Sequence, residues 1–441
     1  MAFFLAFSCH ALTSKTTRNA IQGSAPYLTF DGGRTRAVDA NGLLGITLSN
    51  GANYTPSTNP SSSSRPITLP VAGQSFADIR MFVPTNTNSV ALSSLIGPPN
   101  NYWGDDDGDS GVTATGSLSL SIVDKNNKSV SRNSVLTTCN SPYKVTLSSS
   151  DGTLSTRYGF PNRSTFNASN VTYYVNPKAG PVVCFAKPST YHFNSGQNGP
   201  ASMWDRAKGF LTQSTAPSSY GQNFPTTGLN GLYFDLLISG SSQPLSWFPV
   251  SQGGITVTMS NPTATSVRVT LTGPYATESQ HNSRNPGPIS KPTLPQTFEL
   301  VGRDSNGAPV VKYGFTLKQW FVNRGNVSDN NYSPVLSWCN SIGYRMPRVK
   351  DLTNASRDWN YNPISIGATP SSPGRFYMRH IGSGFFTEWG NLYDYSGVGF
   401  DVNWYWTSDP NGSSQFIVST YDGYVYWNYT NNAYYGLCTH P

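Results

Sequence analysis

The chain has 441 residues, of which 37% are hydrophobic, 13% aromatic and only 12% charged, with a formal net charge of +7 from 29 Lys and Arg against 22 Asp and Glu. That length exceeds one hydrophobic core and implies two or three domains, and the aromatic content excludes a disordered chain. The basic residues form no stripe, which argues against a nucleic-acid partner and leaves at most a mild attraction to anionic surfaces such as lipopolysaccharide or acidic glycans.

In chain order, Met1 to Ala11 is an apolar run as long as a signal-peptide core but lacks the basic residues that should precede it. Residues 1–25 read as a leader, either cleaved or lipid-anchored at Cys9. No later apolar run is long enough for a membrane-spanning helix. Residues 26–110 mix short apolar runs with breakers, including the Ser/Pro-rich stretch Ser57 to Pro66, and predict a β-rich or irregular region. At its end lies the densest acidic cluster, in which Asp105, Asp107 and Asp109 alternate as calcium-type oxygen ligands would. The Glu that closes an EF-hand loop is absent, since Gly116 occupies that place, so a solvated turn is expected and no metal or other cofactor.

Residues 111–294 carry period-two alternation, as in Ser117 to Val123, Tyr143 to Leu147, Val171 to Val175, Gly254 to Met259 and Ser266 to Leu271. Asn-, Gly- and Pro-rich connectors divide these runs. One or two immunoglobulin-like sandwiches are the expectation. From residue 295 to 441 the pattern becomes α+β. Strands Thr297 to Val301 and Val311 to Phe321 flank the turn Asp304 to Gly307, followed by a helix capped at Ser333-Pro334 and stopping at Gly343. A short helix near Pro347 to Leu352 follows, then a return to strands. Cys139, Cys184, Cys339 and Cys438 show no C-x-x-C spacing, so a zinc or redox centre is not expected. Of three possible pairings, Cys139 with Cys184 and Cys339 with Cys438 keep each bridge within one domain.

The stretch Cys339-Asn340-Ser341-Ile342-Gly343-Tyr344-Arg345-Met346-Pro347-Arg348-Val349-Lys350-Asp351-Leu352 resembles the conserved-spacing segment of bacterial C-type-lectin-like modules. Those modules also close with a Tyr-Trp-Thr/Ser-Ser strand, a hairpin on Asp-Gly and a late cysteine, matched here by Tyr405 to Ser408, Asp422-Gly423 and Cys438. The region around Val135 to Cys139 and Pro181 to Phe185 is similar to the enterobacterial adhesion domains of intimin- and invasin-like surface proteins. The two resemblances cover roughly residues 110 to 441. They imply a mostly β protein, an immunoglobulin-like region followed by a C-type-lectin-like domain, displayed at the bacterial outer membrane or secreted and attached to a host or cell-surface glycan or protein receptor. The chain departs from the family in having no series of barrel-forming strands, which leaves anchoring to another chain, another segment or lipid on Cys9. It also lacks the calcium- and sugar-holding triplets of animal lectins, so calcium-dependent sugar binding is not implied.

No catalytic motif is present, and Glu occurs only at Glu278, Glu299 and Glu388. Binding residues are sought instead among the terminal aromatics. Alternation places Val402, Trp404 and Trp406 on a buried face with Val425, Trp427 and Tyr429. It leaves Asn403, Tyr405, Tyr421, Tyr424, Tyr426, Asn428 and Tyr434 as the expected receptor-binding surface. The rivals to a non-enzymatic adhesin are a phage or diversity-generating receptor-binding protein with a lectin-like head, and a carbohydrate-active enzyme.

Overall fold

A computed structural model describes residues 23–441 apart from 179, 192–197, 326, 328, 329 and 359; Cys9 and all but the end of the leader lie outside the described residues. The fold is mostly β, and the chain divides into two compact units, Met1–Ala179 and Gly180–Pro441.

In the first unit a five-stranded sheet runs in the order Ile67–Thr68, Ser169–Asn176, Tyr143–Ser149, Ser117–Val123, Ser89–Ala91. Its three long members are the strands read from alternation. Leu118, Leu120 and Ile122 point inward with Tyr143, Val145, Leu147, Val171, Tyr173 and Val175. Both edges come from before residue 110, and Leu43, Ile46, Phe76, Ile79 and Val83 share the same core. Residues on both sides of the expected boundary near 110 share this core, and the division between the compact units falls at 179/180. Strands of two or three residues are too short to show a period, so their membership is set by the long strands they join.

In the second unit a seven-stranded sheet takes the order Trp204–Asp205, Gly209–Leu211, Val182–Lys187, Tyr233–Ser239, Ser266–Thr272, Ile255–Ser260, Val250–Gln252. A three-stranded sheet, Ser246–Trp247, Gln296–Arg303, Pro309–Leu317, packs on it through contacts such as Phe234 with Phe315, completing a sandwich. The strands expected to open the lectin-like domain at 295 thus close the sandwich instead. The turn between them is the one read from Asp304 to Gly307: Asp304 Oδ1 accepts from the Asn306 and Ala308 N–H groups, and Gly307 has φ +79°.

The lectin-like module follows. Its base sheet is Thr227–Leu229, Gln319–Gly325, Gly436–His440, in which the first strand is lent by the sandwich segment and pairs parallel. Helix Tyr332–Ser341 starts two residues earlier than expected, from Asn331, and a short helix Val349–Leu352 lies where it was read. Cys339 and Cys438, both fully buried, bridge the first helix to the last strand with Cα atoms 5.5 Å apart. Cys139 and Cys184 are each disulfide-bonded as well; Cys139 belongs to the first unit and Cys184 to the second, not to one sandwich as expected. A second sheet, Trp404–Asn411, Ser414–Ser419, Val425–Tyr429, turns at Asp422-Gly423, where Gly423 takes φ +68°.

One continuous core runs from Val183 to Cys438, so sandwich and lectin-like module are welded together. At the weld Glu388 is fully buried and accepts from Thr226 N, Thr226 Oγ1, Thr227 N, Thr227 Oγ1 and Gly382 N at 2.6–3.1 Å. Beside it, buried Arg379 lays its guanidinium 4.2 Å from the centre of the Trp204 ring and donates to Ser189 O. Gly390 must be glycine there: its φ is +78°, and a Cβ would stand 2.0 Å from Arg379 Nη1.

Candidate functional site

The sheet Trp404–Asn411, Ser414–Ser419, Val425–Tyr429 carries most of the residues singled out for binding. Register places Tyr405, Val418 and Val425 side by side on one face and Trp406, Ile417 and Tyr426 on the other. Both faces are covered near the middle: Tyr405 lies against Phe386, Phe400 and Tyr435, and Trp406 against Tyr332 and Tyr434. With both sides covered, alternation no longer separates inside from outside.

This corrects the expected surface. Tyr405 is wholly buried, and Tyr424 is 7% exposed between Trp404 and Phe376; burial pushes both phenols up. Conversely Val402, Trp427 and Tyr429, expected inside, are exposed. The strand Val425–Tyr429 is the outermost of its sheet among the described residues, and exposure rises along it away from the turn. Asn403 is half-buried, its Oδ1 accepting from the Trp404 N–H. Half-buried Tyr421 meets the Tyr191 hydroxyl, which pushes it up to about 12. Tyr426, Asn428 and Tyr434 are half-buried, and Asn428 Nδ2 donates to the Tyr434 hydroxyl.

The structure therefore gathers Tyr426, Asn428 and Tyr434 with two residues that the sequence reading put inside, Trp427 and Tyr429. The rings form a chain: Trp404 to Tyr426 at 6.1 Å, Tyr426 to Trp427 at 5.8 Å and nearly parallel, Trp427 to Tyr429 at 6.4 Å. A usable signal for the missed pair was position, since the strand is the last before the return to Cys438 and has no later partner on its far side.

In the first unit, Asp105, Asp107 and Asp109 come together with one carboxylate oxygen from each inside 4.8 Å. Asp105 Oδ1 accepts from the Asp107 and Asp109 N–H groups, which is the geometry of an acidic turn. Asp107 is exposed and the other two half-buried. These are the residues that could hold a cation.

A cavity of about 390 Å³ in the second unit is lined by Asn230, Tyr275, His281, Asn323 and Val398 among others, and among the described residues no carboxylate lines it. His281 donates from Nε2 to Asn323 O, and burial holds its imidazole below the usual value.

No protein-family model matches the chain. Over 137 residues it is 32% identical to the inverse autotransporter adhesin YeeJ of Escherichia coli (strain K12). The chain is related in sequence to a bacterial adhesin. The match takes in 29% of this chain and 5% of the length of that relative. Among solved structures, invasin, described as a bacterial integrin-binding protein, aligns over 76% of this chain and 52% of its own, with 14% identity and a TM-score of 0.37. The C-terminal 282-residue fragment of intimin, solved with the intimin-binding domain of the translocated intimin receptor, aligns over 75% of this chain and 99% of its own, with 12% identity and a TM-score of 0.32. The adhesin relationship agrees with the intimin- and invasin-like resemblance carried by the Val135 to Cys139 and Pro181 to Phe185 segments. No helix among the described residues is long and apolar enough to cross a membrane.

Proposed function

We propose that this chain acts in a bacterial surface adhesin, associated with the outer membrane, and attaches to a receptor on a host or other cell through its lectin-like module without a chemical step. The observation that carries the reading is the ring chain Tyr426, Trp427, Tyr429 at the module's outer edge, its last two rings exposed, beside half-buried Asn428 and Tyr434. Large exposed aromatics on a module whose core is already filled are characteristic of interaction surfaces.

The disposition of acids supports a non-catalytic role. Glu388 is enclosed and held by its donors, Glu299 is engaged by Lys312 and Tyr220, and Glu278 sits exposed on a short helix. The glutamates therefore offer no facing pair of the kind glycoside hydrolysis uses. Cell-binding assays with the full chain test the proposal. Replacing Trp427 and Tyr429 together by Ala should reduce binding to cells at least about tenfold with the melting temperature held. Unchanged binding with the fold intact would remove this surface as the site.

A further inference from the structure

The outer edge of the lectin-like module has a chemistry narrower than a general receptor contact. Resting on the receptor-binding reading above, we propose that the edge Val425–Tyr429 is a saccharide platform selective for neutral pyranose rings, with Trp427 as its stacking plane.

Shape is the first argument. Trp427 is 36% exposed and Tyr429 58%, while Tyr426 lies nearly parallel to Trp427 at an interplanar angle of 17°. A pyranose ring presents a flat face of C–H groups that packs on an aromatic plane, while its hydroxyls project at the rim. At strand rise, the five residues of this edge extend about 16 Å, roughly two or three linked sugar rings. A stable protein interface covers about 800 Å² on each partner, which one strand edge does not offer.

Polar chemistry is the second. Asn428 Oδ1 accepts from Tyr429 N and Asn432 Nδ2, while Asn428 Nδ2 donates to the Tyr434 hydroxyl, so the amide is fixed in one orientation. Across the strand pair from it stands Gln415, whose Oε1 is buried beneath the edge with no hydrogen-bond partner among the described residues. Amides and phenols both donate and accept, matching hydroxyl groups that do the same.

Charge is the third. From residue 380 to the end of the chain there is no Lys or Arg, and the preceding cation, Arg379, is buried at the weld. Asp401 accepts from the Tyr435 hydroxyl and Asp409 from the Val349 N–H. Nothing on this segment would pair with a sialate, sulfate or phosphate group, whereas an uncharged sugar meets no desolvated charge.

The full chain, W427A, W427F and Y429A would be compared on arrayed neutral, sialylated and sulfated oligosaccharides and on cells before and after glycosidase stripping, with melting temperature as the fold control. Expected is binding to neutral oligosaccharides that W427A weakens about tenfold or more, that W427F partly restores, and that stripping the cells abolishes. Should W427A lower the melting temperature, Y429A carries the test with the same expected direction. Preference for charged glycans, or neutral binding untouched by W427A and Y429A, overturns the platform. Undiminished attachment to stripped cells points to a protein receptor: it overturns the saccharide proposal and leaves the adhesin reading standing. Attachment to neither glycans nor cells overturns both.

Discussion

Glu388 concentrates the energetics of the second unit in one side chain. Its carboxylate satisfies backbone and hydroxyl donors from Thr226, Thr227 and Gly382 inside a fully buried site, where a donor left unpaired costs about 1–3 kcal/mol. E388Q would turn an N–H₂ toward those donors and should destabilise the unit by about 3 kcal/mol or more, read by urea melts. Burial raises the Glu388 carboxyl, whereas it lowers His281, so the two respond oppositely to acid. For His281 the folded state binds the proton more weakly than the unfolded chain. Its contribution is therefore present above the ordinary value of 6.5 and is lost as pH falls through the depressed one. H281Q should flatten the loss of stability below about pH 6.5 without altering its value near pH 8, measured by denaturant titration across that range.

Among elements, the helix Tyr332–Ser341 and the strand Gly436–His440 depend on each other. The bridge between Cys339 and Cys438 closes 99 residues of chain, which in the chain-entropy model is worth about 4–5 kcal/mol. Trp338 adds a donor bond to Gln280 O, and Gly343, with φ +84°, ends the helix where it was read. The double variant C339S/C438S should lower the melting temperature of the second unit clearly while leaving that of the first within a degree or so, seen as one displaced calorimetric transition. Equal loss in both units would contradict this assignment. The sheet carrying Val425–Tyr429 behaves differently: its centre is core and its outer end is not, so Tyr424→Ala should destabilise by about 3–5 kcal/mol while Trp427→Ala should not.

At the level of the whole molecule, the lectin-like module is not an independent body. Residues 295–441 alone would lack the strand Thr227–Leu229 that pairs with Gln319–Gly325 and the acceptor Thr227 O for the Trp389 indole. They would also lose the rings of Trp204 and Phe210 beside Arg379. That fragment should therefore fail to fold, shown by poor near-ultraviolet dichroism and rapid amide exchange, whereas 180–441 should unfold in one cooperative step. A well-folded 295–441 fragment would mean the weld is dispensable.

Local chemistry made much of this legible before any coordinates. The alternating runs at Ser117 to Val123 and Ser266 to Leu271, the turns at Asp304 to Gly307 and Asp422-Gly423, and the bridge between Cys339 and Cys438 are written in short stretches of side chains and emerge in the structure. Which side of the last sheet faces water was not written there. Val425 and Trp427 share a parity, yet one is buried and the other exposed, because exposure depends on what remote segments pack against each position. The same holds for Glu388, whose donors lie more than 160 residues away for all but Gly382: a run of sequence specifies its own period, while burial is decided only when distant runs meet.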